Sequence, residues 1–194
     1  MQFRSFIALE IPRIIQKEIS DRIYPMVQHF PRPLVKWVDP NNYHLTLCFL
    51  GIRTGRELDT LARSIRDPAR ATQPFKIRFN EMGTFPNYNK PRVIWVGIDA
   101  PRELYNLQVR IEDYCIQRGY LEKSKGFSPH LTLGRIRDFT QLPKEINLKQ
   151  TMTAISFNNI DDVLFEEIKI IKSNLGRTGP KYSQLFSVPL GFIS

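Results

Sequence analysis

The tetrapeptide His-Leu-Thr-Leu occurs twice in this chain of 194 residues, at His44–Leu47 and again at His130–Leu133, 86 residues apart. A second echo runs at nearly the same offset. FIALEIPRII at 6–15 resembles IWVGIDAPREL at 94–104, with Pro12-Arg13 and Pro101-Arg102 89 residues apart. Two separate matches at almost one spacing predict a duplicated strand–helix–strand unit. Two such units would pack about a pseudo-twofold axis and bring their tetrapeptides face to face.

Within each copy the chemistry follows from the period of a strand. Side chains alternate across a sheet, so His44 and Thr46 share one face while Leu45 and Leu47 take the other. The leucines can bury against helices, and the polar pair is left to a cleft. Positions i and i+2 are about 6.8 Å apart on a strand, close enough for His and Thr to touch neighbouring oxygens of one phosphate. His130 and Thr132 repeat the pair. Two imidazoles at one phosphate suit phosphodiester chemistry without a metal. An ordinary imidazole pKa near 6.5 lets one ring be neutral and the other protonated. The neutral ring takes a proton from the attacking oxygen, and the cationic ring gives one to the departing oxygen. The threonine hydroxyls hydrogen-bond the non-bridging oxygens. This chemistry fits either assignment of acid and base. A single His-x-Thr is most often an ordinary half-exposed strand position. Two of only three histidines in one repeated tetrapeptide favour the functional reading. The third, His29, is expected as a helix C-terminal residue before Pro31.

The remaining pattern predicts an α+β fold of mainly antiparallel sheet. Strands are expected at Phe3–Glu10, Val35–Val38, Tyr43–Leu50 (closed by Gly51), Phe75–Phe79, Arg92–Ile98, His130–Ile136, Ala154–Phe157, Leu164–Ile171 and Tyr182–Leu190. A helix opened by Pro12 carries Ile15, Ile19, Ile23 and Met26 on one face. Another runs from about Arg56 to Arg66. A third, opened by Pro101, buries Leu104, Leu107, Ile111 and Cys115 and stops at Gly119. No linker divides the chain, so residues 1–194 are expected to form one domain.

Composition excludes several classes. With 42% hydrophobic and 24% charged residues the chain is neither disordered nor fibrous. No apolar run approaches the roughly 18 residues of a membrane span. The apolar stretch in MQFRSFIALEIP is too short for a signal peptide, and two cysteines make no disulfide framework, so a cytoplasmic protein is expected. The 28 basic and 19 acidic residues leave +9, which favours a polyanionic partner without selecting one. No metal site is expected. Cys48 falls on the His44 side by alternation, but about 13.6 Å of strand separates i from i+4. The basic turn at 176–181 lacks the pattern of a nucleotide-binding P-loop.

These residues resemble the RNA 2′,3′-cyclic phosphodiesterases, also called 2′-5′ RNA ligases, of the two-histidine (2H) phosphoesterase superfamily. The resemblance runs through FIALEIP (6–12), VKWVDPNNYHLTLCFLG (35–51), RVIWVGI (92–98), FSPHLTLGR (127–135) and SNLGRTGPKYSQL (173–185). It implies a bilobal, pseudo-twofold fold, with two antiparallel sheets around a central cleft and helices outside. It implies opening of an RNA 2′,3′-cyclic phosphate, or of a cyclic nucleotide, to a 2′-phosphomonoester. His44 would be the proton donor and His130 the proton acceptor, with Thr46 and Thr132 beside them. No cofactor is implied, a monomer is expected, and reversal toward a 2′-5′ bond would use the same cleft. The resemblance also implies that Arg135 holds phosphate, although plain alternation puts it opposite His130 unless a bulge intervenes. Tyr43, Phe127, Trp37 and the loop 87–92 are candidate RNA contacts, because single strands are gripped by aromatic faces. Two other readings compete: a non-catalytic nucleotide- or RNA-binding module, and a 2H phosphodiesterase for another cyclic or 2′-5′ diester.

Overall fold

The computed structural model describes residues 1–31, 34–122, 126–143, 146–176 and 179–191. In chain order the elements are β1 (Gln2–Glu10), α1 (Arg13–His29), β2 (Val35–Trp37), a 3₁₀ turn (Pro40–Asn42) and β3 (His44–Thr54). Next come α2 (Gly55–Ser64), α3 (Arg66–Arg70), β4 (Phe75–Phe85), β5 (Val93–Asp99), α4 (Arg102–Gln117) and β6 (His130–Ile136). A 3₁₀ turn (Phe139–Gln141), α5 (Leu148–Thr153), β7 (Val163–Phe165), β8 (Glu167–Gly176) and β9 (Gly179–Pro189) complete the chain.

The strand order is β7-β4-β5-β6-β3-β1-β8-β9, with β2 added beside β6, and every pairing is antiparallel. The order is symmetric about its centre. β1-α1-β3 in one half answers β5-α4-β6 in the other, as the sequence echo predicts. The two sheets are not separate. One register pair, Leu45↔Leu131, joins them between β3 and β6. The sheet also curls. β7 lies at one end of the path and β8 near the other, yet Glu166 alone connects them. This makes the α+β fold an antiparallel half-barrel.

One face of the sheet is packed by helices. Leu45, Leu47, Leu131 and Leu133 are at most 4% exposed and share a core with Ile15, Ile19 and Ile23 of α1 and Leu104, Leu107 and Ile111 of α4. The periodic apolar stripes of both helices thus close over the leucines of both tetrapeptides.

Four expectations change. Gly51 does not end its strand. At φ 71° it sits within β3, which continues to Thr54. There a capping box, Thr54 with Glu57, starts α2 at once. The expected strand at Ala154–Phe157 is absent. Asn147 instead caps α5, whose Leu148 and Met152 bury one face, and residues 154–157 follow as turn and irregular chain. The expected strand Leu164–Ile171 is split at Glu166, where the chain passes from the edge of one half to the other. Finally, Cys48 turns away from His44. A bulge at Leu47 shifts the register from Ala8↔Thr46 to Ile7↔Cys48, so Leu47 and Cys48 both face the core. Cys48 meets Cys115 of α4 there, and the hydrogen bond with that thiol, together with burial, pushes the Cys48 pKa far up.

Candidate active site

The Leu45↔Leu131 bridge fixes the site. On the opposite face, the same antiparallel register sets His44 across from Thr132 and Thr46 across from His130. All four side chains are half-buried. The two histidines are close enough that a charge on His130 opposes a charge on His44.

Both rings are anchored in the same way. His44 Nδ1 lies 2.6 Å from the carbonyl of Asn42, and His130 Nδ1 lies 2.7 Å from the carbonyl of Ser128. A carbonyl can only accept, so each Nδ1 carries the hydrogen and each neutral ring keeps its Nε2 lone pair free. Aromatic neighbours hold the rings laterally. His44 packs against Phe6 (4.7 Å between centroids) and edge-on to Tyr182 (5.2 Å), and His130 edge-on to Phe85 (5.0 Å). Asn42 in turn donates its side-chain amide to the carbonyl of Pro180, so the β8–β9 hairpin braces the segment that orients His44. This places the hairpin's described residues beside the cleft. Arg177 and Thr178 of the expected basic turn lie outside the described residues.

Burial pushes both imidazole pKa values below 6.5, more than the anchoring carbonyls raise them. The charged neighbours then differ. Glu10 favours the protonated form of His44, whereas Arg135 opposes it at both rings. In the register, Glu10 is paired with His44, and the corresponding partner of His130 is Gly97.

Arg135 reaches the site because of a second bulge. The register shifts from Trp95↔Thr132 to Ile94↔Gly134, leaving Leu133 unmatched. Leu133 and Gly134 are buried in succession, and Arg135 emerges on the histidine face. The two motif strands share one burial pattern over seven residues. The position equivalent to Arg135 is therefore Phe49, five residues after His44. Phe49 is 68% exposed and stands beside Phe6 on the site face.

The other expected contacts fare differently. Tyr43 is not a substrate contact. It precedes His44 by one residue, so alternation buries it in the core at 2% exposure. Phe127 packs edge-on to Tyr105 of α4 and makes no ring contact with either histidine. Trp37 lies against Gly134 and edge-on to Phe30. Of the loop 87–92, Asn87 and Tyr88 border a recess beside His130. Phe49, Glu10, Phe6 and Tyr182 were missed by the sequence reading. The shared five-residue offset after each histidine was the signal that could have found Phe49.

The family model described as LigT like Phosphoesterase matches residues 14–95. A protein of Aquifex aeolicus named RNA 2′,3′-cyclic phosphodiesterase is 30% identical over 185 residues, covering 94% of this chain and 90% of its own. One of the same name from Methanocaldococcus jannaschii is 32% identical over 179 residues, covering 92% and 96%. The chain belongs to the LigT-like phosphoesterases of the 2H superfamily. The crystal structure of E. coli LigT complexed with 3′-AMP shares the fold, with a TM-score of 0.74 and 24% identity over 98% of this chain and 99% of that one. In this chain the Leu45↔Leu131 bridge sets the two His-x-Thr pairs opposite each other.

Proposed function

We infer that this phosphoesterase hydrolyses the 2′,3′-cyclic phosphate of an RNA end, or of a cyclic nucleotide, to a 2′-phosphomonoester by acid–base catalysis between His44 and His130. One observation carries the reading. Both Nδ1 atoms are committed to backbone carbonyls on strands joined at Leu45↔Leu131, which leaves both Nε2 atoms available for acid–base work on the face the two histidines share. The name borne by the curated relatives supports the substrate class.

The roles are those that the family resemblance implies. His130 Nε2 accepts a proton from water as the water oxygen attacks phosphorus. The P–O3′ bond breaks, and O3′ takes a proton from His44 Nε2. The Glu10 carboxylate favours a protonated His44, and among the described residues no carboxylate does the same for His130, which supports His44 as donor against the burial that lowers both pKa values. Thr46 and Thr132 donate to the non-bridging oxygens. Arg135 offers a planar cation to the same oxygens. Phe49, exposed on the His44 side, offers its ring to the base of the terminal nucleoside. A single chain contributes every one of these groups, so the monomer suffices. The reverse transesterification, which would join a 5′-hydroxyl to the cyclic phosphate as a 2′-5′ bond, uses the same atoms. Water outcompetes it because docking a second strand costs entropy.

The test is to incubate RNAs ending in 2′,3′-cyclic phosphate with the protein, with and without EDTA, and to identify the terminal phosphate of the product. A 2′-phosphate formed at equal rates is expected. A 3′-phosphate, or activity lost to the chelator, would overturn the reading. Tight binding without turnover would identify a binding module.

A further inference from the structure

The two ends of the cleft differ in chemistry. Phe49 and Arg135 stand five residues after His44 and His130 on antiparallel strands, so they lie toward opposite ends. Toward the first end β3 exposes Phe49 and Ile52, both apolar. Toward the second the exposed side chains are cationic.

Lys36 of β2 is the register partner of Arg135. Its neighbours Val35 and Trp37 lie against Gly134 and pack on the core. Alternation therefore turns Lys36 to the histidine face. Its Nζ and Cε lie 3.9 Å from where a Cβ on Gly179 would stand, so the side chain reaches across to the β8–β9 hairpin. That hairpin takes the Asn42 amide at the Pro180 carbonyl and sets Tyr182 edge-on to His44. Arg135 in turn is close enough to oppose a charge on either histidine. The two cations thus form a row from the histidines outward. Both are exposed, and among the described residues neither makes an ion pair. The carboxylates that follow them in sequence are engaged in their own turns: Asp39 accepts from Asn41, and Asp138 from Thr140 and Gln141.

Cross-strand partners stand about 4.5–5.5 Å apart at Cβ. Two long cationic side chains from such positions can hold two successive phosphates, whereas the reacting phosphate needs only one. The ribose decides which phosphate the second is. In a nucleoside 2′,3′-cyclic phosphate the base leaves the ring at C1′, beside C2′, and the 5′ chain leaves at C4′, beside C3′. With the cyclic phosphate between the histidines, base and 5′ chain run to opposite ends of the cleft. A base on Phe49 sends O5′ toward Arg135 and Lys36.

We propose that Lys36, next to Arg135, is the subsite for a second phosphate, the phosphodiester on the 5′ side of the terminal nucleotide. It rests on the acid–base reading above and its Phe49 base site, and it makes an RNA end a better substrate than a free cyclic nucleotide. The contact is to the backbone, so it carries no base preference.

Three substrates test it with the full-length protein: a nucleoside 2′,3′-cyclic phosphate with a free 5′-hydroxyl, the same compound with a methyl phosphodiester at O5′, and a 3′-5′ dinucleotide ending in the cyclic phosphate. At low salt the methyl diester and the dinucleotide are each expected to exceed the nucleoside in kcat/KM by about three- to fivefold, the upper range for one exposed ion pair. Their log–log dependence on salt should be steeper than the nucleoside's by about 0.7, the value for one phosphate of a single strand. Lys36→Ala should bring the ratio of methyl diester to nucleoside below about half its parent value, and Lys36→Arg should keep it. Equal kcat/KM for the methyl diester and the nucleoside in the parent would overturn the proposal. So would a gain seen with the dinucleotide alone, which is a base contact, or a ratio that Lys36→Ala leaves unchanged. The Kd values of the corresponding 2′-monophosphates, with and without the 5′ methyl diester, give the same ratio without turnover. Absence of hydrolysis with that Kd ratio intact and dependent on Lys36 would sink the acid–base reading alone, and a Kd ratio indifferent to Lys36 would sink the subsite.

Discussion

Glu10 is the register partner of His44 across the β1–β3 ladder, and Lys169 ties its carboxylate to that of Glu167. Two carboxylates on one ammonium leave a net negative charge beside His44. The candidate site of two histidines and two threonines is otherwise nearly two-fold symmetric, so this charge and Arg135 set its two ends apart. Replacing Glu10 with Gln removes a group that favours protonated His44. With His44 as donor and His130 as acceptor, the expected outcome is that the basic limb of the kcat/KM–pH profile moves to lower pH while the acid limb moves less. Activity on the alkaline side should fall by less than about tenfold, since the carboxylate is partly exposed and already paired. The measurement is a pH–rate profile on a cyclic nucleotide.

In the free protein both imidazole pKa values lie below 6.5, chiefly from burial. The productive form has one ring neutral and one protonated. As pH rises through the pKa of His44 the proton donor is lost, and as pH falls through that of His130 the acceptor is lost. The kcat/KM profile of the unmodified protein should therefore be a bell with its maximum on the acid side of 6.5. A plateau extending above pH 8 would contradict the assignment.

His44→Ala and His130→Ala are each expected to cost about 10² to 10⁴ in kcat, the usual worth of a positioned acid or base. Thr46→Ala and Thr132→Ala should cost less than either, because Arg135 and the second hydroxyl still face the phosphate. Steady-state kinetics on a cyclic nucleotide, with circular dichroism to confirm the fold, measures both.

Arg135 holds down the protonation of both histidines. Arg135→Ala should consequently raise both imidazole pKa values, read by NMR titration, while reducing turnover. Arg135→Lys should leave the titration nearly unchanged and restore little activity, because an ammonium cannot reproduce the two parallel hydrogen bonds of a guanidinium.

Gly134 lies under Trp37, and a Cβ there would come within 2.9 Å of the indole. Gly134→Ala is expected to destabilise the protein by about 1–3 kcal/mol, the usual cost of overpacking. Urea denaturation would show it as a lowered midpoint with the slope retained.

Much of this architecture was legible in the linear order of residues. The tetrapeptide at His44 and His130 dictates leucines inward and His-Thr outward, because side-chain alternation is a local property of an extended chain. The Pro12 and Pro101 helices follow from 3.6-residue periodicity in the same way. What alternation could not reach is any position beyond a break in it. Leu47 and Leu133 bulge because β1 and β5 each offer one residue fewer in the paired register. That extra residue turns Cys48 into the core and Arg135 out to the histidine side, opposite to where counting alone puts them. Tyr43 shows the converse: counting puts it in the core, and an argument from aromatic character alone misplaced it. The inequality of the two histidines lies wholly in the tertiary structure. Glu10 and Lys169 come from strands 159 residues apart in the chain, and only the β1–β8 pairing brings their charges to one side of the site.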